Sequence, residues 1–130
     1  MTERITLRID LDSEVPAYRQ IVNIIRILLV SGQLLPGAEL PSVRRMAIDL
    51  GVHFNTVAEA YRILADEGWL ALRHGKGATV VERKVPEPTP ERVEEFQRRL
   101  QALAAEMFAH GASPESIGPE LWKAWTEFKS

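Results

Sequence analysis

The 130-residue sequence contains no cysteine. This absence excludes disulfide bonds, thiolate nucleophiles and cysteine-ligated metal sites. A chain without cysteine is compatible with a reducing compartment, and we expect a cytoplasmic location. The length suffices for one domain with its own hydrophobic core and a small appendage.

Long hydrophobic runs are also missing. The longest apolar stretch, IIRILLV, contains Arg26 and is too short to span a bilayer. Glu3, Arg4 and Arg8 interrupt any apolar segment near the N-terminus, which is unlike a secretory signal. The sequence therefore predicts no membrane association.

Clusters of catalytic or metal-binding residues are absent as well. The three histidines, His53, His74 and His110, lie far apart and match no metal-binding spacing. The run GKG is too short for a phosphate-binding loop, and no nucleophile has a base at a recognisable spacing. We therefore expect no enzyme activity, no metal and no cofactor.

Charge is unevenly distributed along the chain, whose formal net charge is −2. Residues 1–84 carry 11 Lys/Arg against 10 Asp/Glu, whereas residues 85–130 carry 5 against 8. Residues 69–84 have a local net charge of +3. Because a local patch matters more to a polyanion than the whole-chain sum, a nucleic-acid partner remains compatible with this composition.

The first segments of the chain predict one strand and one helix. Residues 4–11 alternate apolar and polar side chains, the period of a half-buried strand. Pro16 suits the first turn of a helix that should end near Gly32. The apolar residues of this helix recur at three- and four-residue steps, and two more widen the buried stripe: Ile21, Ile24, Ile25 and Leu28, then Ile27 and Leu29.

Two short amphipathic helices follow, joined by a glycine-containing turn. Ser42 is a good cap for the first helix, and Gly51 is typical of a left-handed C-terminal cap. Each helix has apolar residues at i, i+3, i+4 and i+7: Val43, Met46, Ala47 and Leu50 in the first, and Val57, Ala60, Tyr61 and Leu64 in the second. This arrangement predicts a helix-turn-helix.

The remaining sequence predicts a hairpin, a linker and a helical tail. Residues 69–72 and 79–81 are expected to form two strands, and PEPTP is a stiff proline-rich linker. We expect Gly118-Pro119 to divide the last helical segment. The predicted fold is mainly α with a small β-hairpin wing (an α+β winged helix-turn-helix) plus a helical tail. Its parts are an N-terminal strand or arm (1–13), a winged helix-turn-helix domain (14–84), the linker (85–90) and a dimerisation tail (91–130).

The start of the second short helix is the main candidate for reading DNA. In a helix-turn-helix, the first residues of the second helix meet base edges in the major groove. Asn55 can pair with adenine, and Thr56 can bond a phosphate or contact a thymine methyl group. His53 and Phe54 precede them. Phe54 could also contact a thymine methyl group, or instead pack on the preceding helix.

Basic residues flank this helix on both sides. Arg44 and Arg45 lie on the outward side of the first short helix and could reach phosphates, or could form a solvated face. At the hairpin, glycines allow close backbone approach to a phosphate or to a narrow minor groove. The hairpin candidates for DNA binding are Arg73, His74, Gly75 and Lys76. We expect Tyr61 and Trp69 to be core residues.

These motifs together resemble one known family. The segments PGAELPSVRRMA, LGV, NTVAEAYRILADEGWL and RHGKGATVV, in this order, resemble the GntR-type winged helix over roughly residues 14–82. The short tail is similar to that of the YtrA-like subfamily. The resemblance implies a homodimer that binds a pseudo-palindromic operator, usually as a repressor. It also implies that Arg44 contacts the groove, that residues 53–56 read bases, and that His74, Gly75 and Lys76 enter the minor groove.

The sequence departs from the family pattern at two places. Ser-Arg or Asn-Pro is more usual where His53-Phe54 stands, and Ala58 replaces an arginine that contacts DNA in some relatives. The resemblance therefore implies no particular operator sequence. The alternative function is a winged helix used for protein contacts without base-specific DNA binding.

The tail carries a single apolar stripe that predicts dimerisation, because one isolated helix pair cannot bury it. The alternative is a tail that folds back on its own domain. The tail leaves little room for a small-molecule pocket, and the binding of an effector stays open. The predicted dimerisation residues are Val93, Phe96, Leu100, Leu103, Met107, Trp122 and Trp125.

Overall fold

The computed structural model describes residues 7–74 and 77–129. The chain divides into two compact units between Arg83 and Lys84. The predicted mainly α fold with a small hairpin is confirmed in the described ranges. The elements of unit 1 are α1 (Ala17–Val30), β1 (Glu39–Leu40), α2 (Val43–Leu50), α3 (Phe54–Asp66), β2 (Leu70–Arg73) and β3 (Gly77–Val80), and those of unit 2 are α4 (Pro90–Ala109) and α5 (Pro114–Lys129).

The core of unit 1 is built on α1 and α3. The inward face of α1 matches the predicted stripe at Ile21, Ile25 and Leu29, which are buried. Ile27 was expected to widen this stripe, but it is 51% exposed, and Val22 is buried instead. The reason is helical geometry, since Val22 lies three and seven residues from Ile25 and Leu29, whereas Ile27 points to the opposite side.

The helix-turn-helix forms as its caps and apolar spacing predict. The Ser42 side chain accepts a hydrogen bond from the Arg45 backbone N–H at 3.1 Å, which caps α2. Gly51 ends α2 in the left-handed region with φ of 71°. The inward residues of α3, Val57, Ala60, Tyr61 and Leu64, are all at most 1% exposed. Their burial fixes the rotation of α3 about its axis.

The three strands form one antiparallel sheet in the order β1-β3-β2. In the hairpin, Leu70 pairs with Val80 and Arg73 with Gly77. On the other side of β3, Leu40 pairs with Ala78. The sequence did not predict β1, because two residues are too few to show an alternating pattern.

The predicted N-terminal strand is wrong for the part of it that the structure describes. Residues 7–10 have no regular secondary structure, and the first part of the predicted segment lies outside the described residues. Leu7 is nevertheless part of the core. The Gln20 side chain accepts a hydrogen bond from Asp10 N at 2.7 Å and donates one to Asp10 O at 2.8 Å. It thereby bonds backbone groups that a neighbouring strand would otherwise pair.

Unit 2 has two amphipathic helices. Thr89 caps α4 by accepting a hydrogen bond from Arg92 N at 3.1 Å, and Pro90 occupies the first turn. The predicted break at Gly118-Pro119 is wrong, because α5 runs on through Pro119. A proline removes only one helical hydrogen bond, and the carbonyl of Glu115 that loses it lies on an exposed residue. No helix in the described ranges is long and apolar enough to cross a membrane.

Gly77 lies tightly against the Leu40-Pro41 backbone, which precedes α2. Its φ is +85°, and a Cβ added there would lie 2.5 Å from Leu40 O and 2.9 Å from Pro41 O. Gly37 also has a positive φ, of +96°, but a Cβ there would meet nothing within 4 Å. An alanine at Gly37 would therefore introduce backbone strain alone, whereas an alanine at Gly77 would introduce both strain and a steric clash.

We predict that Gly77→Ala lowers the free energy of unfolding by about 3 kcal/mol, because strain and overpacking add. Gly37→Ala, the matched control, should cost about 1 kcal/mol from strain alone. Urea denaturation of both variants measures the difference. Equal losses would contradict a tight contact between Gly77 and the Leu40-Pro41 backbone.

Candidate nucleic-acid interface

A cleft of about 840 Å³ lies between the start of α2, the start of α3 and the hairpin. Four of the residues that the sequence nominated for DNA binding line this one cleft: Arg44, Phe54, Arg73 and His74. The structure therefore brings together residues that are up to 30 positions apart in the sequence. The other lining residues are Ser42, Val43, Ala58, Tyr61, Leu72 and Gly77.

The charge around this cleft is of one sign. Arg44, Arg73 and His74 are exposed, and no acidic side chain is among the described lining residues. The first turn of α3 carries no acidic residue either. The first turn of α3 lies at the cleft, so the positive end of the helix dipole adds to the positive charge of the arginines. The cleft is therefore suited to an anionic ligand.

His53 is the N-terminal cap of α3. Its Nδ1 accepts a hydrogen bond from Asn55 N at 3.1 Å. The His53 ring also stacks on Phe54, with ring centroids 4.5 Å apart and planes inclined by 29°. Sequence reasoning nominated His53 as a reader of DNA, and the structure shows that it also caps α3, although histidine is not among the common capping residues.

Phe54 does not pack into the core of unit 1. Its side chain is 54% exposed and lines the cleft. The ring is held by the stack on His53. Phe54 is therefore not a core residue, and Val43 and Arg44 of the preceding helix line the same cleft.

The next two residues of α3 differ in exposure. Asn55 is exposed, and its side-chain amide makes no hydrogen bond to any described residue. Thr56 is half-buried. The amide of Asn55 is therefore available to a ligand that approaches the first turn of α3.

Arg45 lies apart from the other nominated basic residues. Its Nε is 3.4 Å from Oδ1 of Asp49, one turn further along α2, and the residue does not line the cleft. The pair is well exposed and contributes little to stability. Gly75 and Lys76, which the sequence nominated at the hairpin tip, lie outside the described residues.

Tyr61 is a core residue that also lines the cleft. It is 1% exposed, as expected for a core residue, and its hydroxyl donates a hydrogen bond to Pro41 O at 2.8 Å. Burial raises the pKa of the Tyr61 hydroxyl, so the group remains a donor. Trp69 is partly buried against the core, with the Arg83 guanidinium 4.4 Å from its ring centroid.

Two lining residues escaped sequence reasoning although a signal for each was present. Leu72 shares a strand face with the buried Leu70, yet it extends beyond the core and is exposed. Gly77 starts β3 with a positive φ, which a glycine directly before an apolar strand could have suggested.

The segment that builds this cleft matches a known family. The family model described as "Bacterial regulatory proteins, gntR family" matches residues 17–80. A solved structure of YtrA from Sulfolobus acidocaldarius, a GntR-family transcription factor, is 34% identical to this chain. That match covers 95% of this chain and 100% of that structure, with a TM-score of 0.55. The chain belongs to the GntR family. This GntR-family protein is a transcription regulator with a winged helix-turn-helix fold.

Further relatives identify the subfamily. The HTH-type transcriptional repressor YtrA of Bacillus subtilis is 29% identical over 111 residues, with 85% of each chain covered. A transcriptional antiterminator from Listeria monocytogenes EGD-e has a TM-score of 0.75 at 25% identity, with 98% of this chain and 96% of that chain covered. The GntR-family chain is YtrA-like. It spans less than two thirds of the length of several other curated relatives, 15% in one case.

We predict that His53→Ala lowers the free energy of unfolding by about 1 kcal/mol, because α3 loses its cap. His53→Asn keeps a side-chain acceptor at the same position and should cost a few tenths of a kcal/mol at most. Urea denaturation followed by circular dichroism compares the two. Similar losses in both variants would assign the stability to the ring stack on Phe54 instead.

Proposed function

We propose that this chain binds operator DNA through the cleft and represses transcription as a homodimer. The observation that carries the proposal is that the cleft gathers Arg44, Phe54, Arg73 and His74 around the first turn of α3, with no acidic residue among its described lining. In a helix-turn-helix, this turn is the part that enters the major groove. The similarity to the transcriptional repressor YtrA of Bacillus subtilis supports the repressor role.

Asn55 is proposed to supply base readout. Its amide is exposed at the second position of α3, and it makes no hydrogen bond to other described residues. A side-chain amide can donate to N7 and accept from N6 of the same adenine, a pairing that other bases do not match. Thr56, half-buried beside it, is suited to a shorter-range contact with a phosphate or a thymine methyl group.

The basic residues are proposed to position the protein on the duplex. Arg44 lies at the start of α2, Arg73 ends β2 and His74 follows it, and all three line the cleft beside the first turn of α3. Lys76 and Gly75 follow in the hairpin sequence. Arg45 is proposed to contribute little to phosphate binding, because its guanidinium already pairs with Asp49. Phosphate contacts of this kind set orientation and affinity without reading sequence.

Dimerisation through unit 2 is supported by its unburied apolar stripe. No described residue of α4 is buried, and most large apolar side chains of both helices are exposed, with Met107 half-buried. A second copy of the chain would cover the same stripe by two-fold symmetry, and two symmetric cleft surfaces would suit a pseudo-palindromic operator. The proposed dimerisation residues are Val93, Phe96, Leu100, Leu103, Met107, Trp122 and Trp125.

This role implies a cytoplasmic protein that acts by binding and not by catalysis.

We predict that Asn55→Ala weakens binding to the specific operator by about 1–3 kcal/mol and reduces discrimination between operator and random DNA. The cause is the loss of a base contact. Fluorescence anisotropy with both duplexes measures the two affinities.

Arg73→Ala should weaken both duplexes alike and lower the dependence of log K on log salt by about one unit, because one phosphate contact is lost. Arg62→Ala is the matched control, since Arg62 is exposed on α3 outside the cleft and pairs with Glu59. Promoter DNA that fails to bind, or that is insensitive to both cleft variants, would favour a winged helix used for protein contacts.

We predict that Leu100→Lys converts the dimer into monomers, because a charge at the centre of the apolar stripe opposes its burial. Leu100 is 58% exposed within one chain, so the fold of the monomer should persist. Gln101→Lys adds the same charge beside the stripe and should leave the dimer intact. Light scattering measures the mass of each variant, and a Leu100→Lys variant that remains dimeric would contradict this interface.

A further inference from the structure

Phe54 is an apolar side chain placed where a DNA-reading helix usually carries polar groups. It occupies the first position of α3, and 54% of its surface is exposed in the cleft. Exposing an aromatic ring to water is unfavourable. The exposed part of the ring is available to a ligand that enters the cleft.

The ring is also held in place before any ligand arrives. His53 stacks against it with a centroid separation of 4.5 Å. His53 is itself fixed by the hydrogen bond from Asn55 N to Nδ1 at 3.1 Å. A side chain that is already ordered loses little conformational entropy on binding, which favours a specific contact over an adaptable one.

The surroundings of Phe54 combine an apolar surface with a basic rim. Leu72, Ala58 and Val43 line the cleft beside it, while Arg44 and Arg73 carry the charge. A polyanion is attracted to the rim, but the apolar surface offers no hydrogen bond to a base edge. In the major groove, the apolar group on a base edge is the C5 methyl group of thymine.

We propose that Phe54 is a specificity-determining residue that reads the C5 methyl group of a thymine next to the base pair that Asn55 contacts. This inference rests on the proposed binding of DNA through α3. The pair His53-Phe54 then acts as one unit, in which His53 caps the helix and orients the ring, and Phe54 makes the contact.

The experiment uses the full-length protein and an operator selected from a random duplex library. Each thymine of one half-site is replaced in turn by deoxyuridine, which removes only the methyl group and keeps every hydrogen-bonding group. For the unmodified protein, one replacement should weaken binding about fourfold, the change expected for one buried methyl group. Because the change is made in the DNA, this result does not depend on the folding of a variant.

Protein variants then assign the effect to Phe54. Phe54→Ala should bind thymine and deoxyuridine operators equally, and Phe54→Leu should retain part of the preference because it keeps an apolar side chain. Ile48→Ala is the matched control, because Ile48 is an exposed apolar residue of α2 that lies outside the cleft. It should keep the full preference.

Two outcomes overturn this inference while leaving DNA binding intact. One is an operator whose affinity is unchanged by deoxyuridine at every position. The other is a Phe54→Ala variant that is still sensitive to the same replacement. A protein that selects no operator and binds all duplexes with equal weakness would instead overturn the proposed function, and this inference with it.

Discussion

The peptide at Pro41 is the junction on which the arrangement of the cleft depends. Its carbonyl oxygen accepts the hydrogen bond from the Tyr61 hydroxyl of α3 at 2.8 Å. The same carbonyl faces Gly77 of the hairpin so closely that a Cβ there would lie 2.9 Å away. The next residue, Ser42, caps α2. One partly buried peptide thus links α2, α3 and the hairpin, and all three contribute residues to the cleft.

The polar first turn of α3 is a consequence of the packing of the rest of that helix. The buried residues from Val57 to Leu64 bind α3 to α1 and α2, and they leave no rotational freedom that could turn His53 or Asn55 inward. A helix with four side chains in the core can therefore present weak helix formers at its start. The cap from His53 compensates for part of their low helix propensity.

Sequence periodicity predicted the parts of the fold that repeat, and missed the parts that depend on a single contact. The inward faces of α2 and α3 followed from four apolar positions each, because helical spacing is a local property. The pairing of β1 with β3 depends on residues about 40 positions apart, and the two residues of β1 carry no local pattern. Four of the ten described lining residues, among them Arg44 and Arg73, had been nominated from the sequence. The capping bond and ring stack of His53 depend on three-dimensional contacts that residue spacing does not encode.

The two units differ in how they obtain stability, and this difference bears on regulation. Sixteen apolar residues are buried in the described part of unit 1, whereas most large apolar side chains in the described part of α4 and α5 are exposed. Isolated amphipathic helices are marginal in water, so the order of unit 2 should depend on a partner surface. In the proposed dimer, two joined clefts would bind two half-sites with a much higher effective concentration than two separate copies. Dimerisation and operator affinity are then linked, and a condition that weakens the contact between tails lowers operator occupancy without altering any residue of the cleft.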